Sequence, residues 1–130
     1  MEKEFAVPKS VDILGAKYKI EVRKVEDDVR LSDDERREAY TNVFKKLIVL
    51  SDYSDESQYP YTSKDIIFRN ERYKHVLKHE IVHAFVYECG LGCVSDPRKS
   101  PLFYDEQTID WIAIQGPKLY KIWEKLGLVD

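Results

Sequence analysis

Apolar and polar positions follow two different periods along this chain. Around Tyr18, Ile20, Val22 and Val25 in VDILGAKYKIEVRKV they alternate, with Gly15 where a turn belongs, which predicts a strand, a turn and a second strand. The β-branched and aliphatic run KKLIVLSD predicts a further strand of the same sheet. Between them, LSDDERREAY offers Ser32 as an N-cap ahead of several acids, so a short helix is expected there, with Thr41 and Asn42 in a loop.

Further along, the period becomes helical. From about Ile66 to Cys89 no Gly or Pro interrupts the chain and Gly90 follows as a stop residue, which predicts one long helix. At about 100° per residue, Lys74, Lys78 and Glu88 share one arc, while His79 and His83 lie opposite, near Val76, Val82 and Val86. A second helix is expected from about Phe103 to Gln115, stopped by Gly116 and Pro117. A C-terminal helix should follow, with Leu119, Ile122, Trp123 and Leu126 as a core-packing stripe. Together these elements predict an α+β fold in a single domain, residues 1–130. A small N-terminal antiparallel sheet would pack beside the long helix, with the two further helices after it.

Composition narrows the function classes. A chain of 130 residues supports one core and is short for two, and 43% apolar with 35% charged residues suits a folded soluble domain. Its 21 basic and 24 acidic side chains are intermixed, so no basic face recommends nucleic acid as a partner. The opening MEKEFAVPKS is charged where a secretory signal would be apolar, and no run is long enough to span a membrane. A cytoplasmic protein is therefore expected. Cys89 and Cys93, spaced as CGLGC, are too few for a disulfide framework and miss the CxxC spacing, so they read as free thiols.

The candidate chemistry lies in KHEIVHAF, Lys78 to Phe85. Two imidazoles at i and i+4 stand one helical turn apart on the inward face, close enough for His79 and His83 to hold one Zn²⁺ at about 2.0–2.1 Å. Glu80, rotated by about 100° from His79, can serve as general base toward a water in the open coordination position. Catalytic zinc generally takes a third protein ligand, and YDEQTIDW on the second helix carries Asp105, Glu106 and Asp110. Glu106 and Asp110 share a face, so Glu106 can reach the ion while Asp110 accepts a hydrogen bond from the far nitrogen of a ligating histidine. The plainer alternatives are core histidines beside a surface glutamate, and solvated acids drawn to a helix start.

His75 precedes His79 by one turn. It lies about 11–12 Å along the axis from His83, too far for the two to share an ion, so it is expected to pack or to line the cleft. Tyr104, Tyr59 and Tyr61 are candidates to stabilise an oxyanion. The last two belong to the loop YSDESQYPYTSKD, which is expected to border the cleft.

HEIVH followed after 22 residues by EQTID resembles the HExxH and ExxxD pattern of gluzincin metallopeptidases. The settings HEIVHAFVYECGL and DEQTIDWIAIQGPKL are similar to the small phage-type and minimal members, over roughly residues 64–120. The resemblance implies His79, His83 and Glu106 as zinc ligands, Glu80 as the base, Asp110 behind a ligand, and hydrolysis of a peptide or protein substrate. It also admits a different class, a non-catalytic zinc-stabilised regulatory or protein-binding module of phage or mobile-element type, using the same ligands.

Overall fold

The computed structural model describes residues 2–91 and 105–129. The fold is α+β: a four-stranded sheet formed by the N-terminal part of the chain, then two long helices. The first hairpin joins β1 (Ser10–Ile13) to β2 (Ala16–Arg23). Its two-residue turn places Leu14 at φ 52° and Gly15 at φ 90°, the left-handed pair whose twist suits a tight hairpin, and Asp12 Oδ1 accepts from Gly15 N at 2.9 Å.

The sheet is mixed, which corrects the expectation of an antiparallel one. β3 (Ala39–Asn42) and β4 (Leu47–Ser51) form a second antiparallel pair, but β4 inserts beside β2 in parallel, giving the order β1-β2-β4-β3. The crossover that parallel pairing requires is the whole chain between β2 and β4, in which β3 makes the return run. Strand β4 becomes central and its LIVL run is buried on both faces: Ile48 and Leu50 join the main core, while Val49 packs with Leu31 and Tyr40 on the other side. β3, expected as loop at Thr41 and Asn42, is one of the sheet's two edge strands, β1 being the other.

The crossover holds a short helix α1 (Val29–Ser32), capped by Asp28 and not by Ser32, which closes it instead. Asp28 Oδ1 accepts from Arg30 N at 2.9 Å and Leu31 N at 3.2 Å. Its other oxygen accepts from the Tyr40 hydroxyl at 2.6 Å and Arg23 at 2.8 Å. The cap is thereby tied to β2 and β3.

Helix α2 (Ile66–Glu88) starts at the Asp65 cap, whose side chain accepts from Phe68 N, and ends where Gly90 adopts φ 93°. Tyr73, Val76, Leu77 and Ala84 bury its sheet-facing side in the main core. Helix α3 (Glu106–Lys125) starts at the Asp105 cap and packs on α2 through Ile109 and Ala113. The expected start at Phe103 lies outside the described residues. α3 runs through Gly116 and Pro117, so the two helices expected there are one. Proline's fixed φ fits a helix, and the cost falls on one lost hydrogen bond near a half-exposed stretch.

The stripe expected to pack the core is exposed: Ile122 is 55%, Trp123 47% and Leu126 65% accessible. Among the described residues, α3 buries side chains only in its first half, at Ile109 and Ala113. No helix among the described residues is long and apolar enough to cross a membrane.

Candidate metal centre

Helix α2 turns three of its faces to different neighbours, and His75, His79 and His83 fall on the one facing the start of α3. α3 is positioned by its Asp105 cap, which accepts from Thr108 N at 2.8 Å, and by fully buried Ile109. With that end fixed, Glu106 and Asp110, one turn apart, both lean over the histidines.

Three atoms converge on one point. His79 Nε2 lies 2.6 Å and His83 Nε2 3.1 Å from Glu106 Oε2, and the two nitrogens are 3.2 Å apart. Ligands at about 2.0–2.1 Å from a tetrahedral Zn²⁺ stand about 3.3 Å from one another, so the donor set matches such an ion in chemistry and along two of its three edges, while the 2.6 Å edge between His79 and Glu106 is that of a hydrogen bond. Protons satisfy this triangle poorly. Two Nε2–H groups would both donate to Glu106 Oε2 but would then face each other across the 3.2 Å edge between His79 and His83, whereas a cation accepts a lone pair from all three corners.

Asp110 sets the histidines from behind. Its Oδ1 lies 3.2 Å from His79 Nδ1 and 3.1 Å from His75 Nε2. A proton on His79 Nδ1 donated to Asp110 leaves the Nε2 lone pair for the triangle, the usual arrangement behind a ligating imidazole. His75 is thereby a partner of Asp110 at the rim of the cleft, one turn from the converging atoms.

Glu80 stands apart from the triangle. It is 6% exposed, and Thr41 Oγ1 on β3 lies 2.9 Å from its Oε1. Its carboxylate still belongs to the local group, since His79, Glu80 and His83 offer ligand atoms within 4.8 Å of one another. Burial raises the Glu80 pKa above the ordinary glutamate value, against the opposing pull of His83, the Thr41 hydroxyl and His79. For Glu106 desolvation also pushes upward, but the attraction of His83 and the hydrogen bonds from both imidazoles outweigh it and leave its pKa lowered. The two carboxylates of the site are therefore biased in opposite senses, one toward holding a proton and the other toward permanent charge.

The structure thus brings together His79, His83, Glu106, Asp110 and Glu80, with His75 beside them. It places Tyr59 elsewhere, edge-on to Tyr53 at 4.8 Å between ring centres, and leaves Tyr61 86% exposed. Neither lines the cleft formed by β3, α2 and the start of α3. Their loop folds onto the core because Tyr53, fully buried, is gripped by Tyr73, whose hydroxyl accepts from Tyr53 N at 2.9 Å. Tyr104 and Cys93 lie outside the described residues, and Cys89 is a free, exposed thiol. Sequence reasoning missed Thr41, which lies 39 positions before Glu80 and touches it only because β3 forms. No protein-family model, curated protein or solved structure matches this chain.

Proposed function

We propose that this chain is a zinc-dependent peptidase in which His79, His83 and Glu106 hold the ion and Glu80 moves the proton. The observation that carries the reading is the convergence of His79 Nε2, His83 Nε2 and Glu106 Oε2 within 3.2 Å of one another beside a buried carboxylate that is anchored elsewhere. A bound zinc ion would supply Lewis acidity, polarising a carbonyl and making a water acidic enough to lose a proton near neutral pH. Glu80 accepts that proton as the water oxygen bonds to the carbonyl carbon. It then returns the proton to the departing amine as the C–N bond breaks, so a carboxylate biased toward protonation suits both halves of the task.

A peptide substrate is supported by the edge strand. Ser51 N donates to Glu38 O at 2.9 Å, and the alternation of an antiparallel ladder then directs the N–H and C=O of Ala39 and Thr41 away from β4. Among the described residues nothing pairs with these groups, which border the cleft that holds the histidines, and an extended peptide could add there as a further strand, main chain to main chain. The Arg72–Glu38 ion pair fastens the start of that strand to α2, which keeps edge and site in register.

The test is a diverse peptide library incubated with zinc-loaded wild-type and Glu80→Gln protein, read by mass spectrometry. Cleavages present with wild type and reduced by about 10² to 10⁴ in rate in Glu80→Gln are expected. Identical product sets would overturn the peptidase reading and favour a zinc-stabilised binding module with the same ligands.

A further inference from the structure

We infer that Thr41 is the positioning residue that holds Glu80 as a proton carrier and keeps it from becoming a metal ligand. The inference rests on the metal site proposed above and adds the reason why Glu80 and Glu106 take different roles in it. Proximity alone does not separate them, since the Glu80 carboxylate lies in one 4.8 Å group with the nitrogens of His79 and His83. An ion held by the histidines would be within reach of a rotation of the Glu80 side chain, and an anionic oxygen ligand is one that zinc accepts readily.

Anchoring separates them. Glu106 leans in from the exposed start of α3 and, among the described residues, meets only His79 and His83. Glu80 is held from the opposite side, where Thr41 Oγ1 stands 2.9 Å from Oε1 and 3.1 Å from the main-chain oxygen of the same residue. Among the described residues no other side chain donates to Glu80, and at 6% exposure little water can replace the hydroxyl. Thr41 in turn is fixed by its place on β3, in register with the fully buried Ile48 of strand β4. The hydroxyl therefore sits on a rigid element and draws one carboxylate oxygen toward the sheet, away from the triangle. Thr41 also presents its own main-chain groups along the free edge, so one residue would set both the base and the strand that a peptide joins.

Cobalt(II) reports the coordination directly, because its visible bands weaken as a four-coordinate site gains a ligand. The comparison uses the full chain loaded with Co²⁺ as wild type, Thr41→Val, Thr41→Ser and the double variant Thr41→Val/Glu80→Gln. Thr41→Val should lose visible intensity and bind cobalt more tightly as Glu80 swings in. Thr41→Ser, which keeps the hydroxyl, should retain the wild-type spectrum, and adding Glu80→Gln to Thr41→Val should restore it. A second measurement does not depend on how well Thr41→Val folds: Glu80→Gln alone should leave the wild-type spectrum unchanged, because Glu80 is outside the coordination shell. A changed spectrum there, or identical spectra and affinities in wild type and Thr41→Val, overturns the inference and leaves the metal site standing. Failure of the wild-type chain to bind cobalt overturns the metal site and the inference together.

Discussion

Asp28 and Glu80 are equally hidden, each 6% exposed, yet their surroundings push them in opposite directions. Around Asp28 every neighbour donates: two backbone N–H groups of α1, the Tyr40 hydroxyl and the Arg23 guanidinium. Burial alone would raise its pKa, but these four donors more than reverse that and hold it below the ordinary aspartate value. Among the described residues Glu80 has one hydroxyl and no firm cation, and burial raises its pKa. Beside it two imidazole nitrogens and a carboxylate oxygen crowd together with no shared proton able to satisfy them all. A buried carboxylate whose donors are complete holds the fold together, whereas one held by a single hydroxyl beside converging ligand atoms is a candidate for chemistry.

The largest effect that would sharpen this contrast is on stability. Asp28→Ala removes a helix cap, takes the acceptor from the Tyr40 hydroxyl and leaves Arg23 paired with Glu21 alone, and should cost about 2–3 kcal/mol in chemical denaturation. Glu80→Gln in metal-free protein should stay within about 1 kcal/mol of wild type, because it replaces a charge that the fold does not favour. Equal losses at the two positions would break the comparison.

The pH dependence of the same pair has opposite signs. Asp28 has a depressed folded pKa, so its contribution is present above the unfolded value of about 4 and is lost as pH falls through the folded one. Asp28→Asn should therefore flatten the acid limb of a stability curve. Glu80 has a raised folded pKa, so its contribution is present below the unfolded value and declines as pH rises through the folded one. Glu80→Gln should remove that decline in metal-free protein, and denaturant titrations across pH measure both.

A smaller effect is expected behind the triangle. Asp110→Ala should weaken zinc binding by about 10- to 100-fold in chelator competition while leaving saturating stoichiometry unchanged. Unaltered affinity would make Asp110 a surface acid that meets the histidines without tuning them. The smallest effect belongs outside both centres: Trp123→Ala, on the exposed half of α3, should change stability by no more than about 0.5 kcal/mol.

How much of this was legible in the sequence depends on how local each signal is. The hairpin at Gly15, the LIVL strand and the long helix were readable because alternation, β-branching and an uninterrupted run each act within a few residues. The facing of His79, His83, Glu106 and Asp110 was anticipated from helical spacing, which fixes what shares a face. The parallel pairing of β2 with β4 was not, since it depends on a crossover and on which buried run the core selects as central. Edge strand β3 carries only Ala39 and Tyr40 ahead of Thr41 and Asn42, too short and polar a pattern to read, and with it Thr41 was lost. Asp28 as cap was hidden by Ser32, the commoner-looking signal, because what favours Asp28 is its contact with Arg23 and Tyr40. Pro117 read as a stop because proline normally ends helices, and the amphipathic stripe after it read as core because periodicity cannot tell a covered face from an open one.

The central claim is that the incomplete cluster is a zinc site, and elemental analysis tests it most directly. Purified wild-type protein, incubated with excess zinc at neutral pH and desalted, should carry about one zinc per chain, and His83→Ala, missing one corner of the triangle, should carry essentially none. Wild-type protein that remains metal-free, or His83→Ala that retains a full equivalent, would contradict the account.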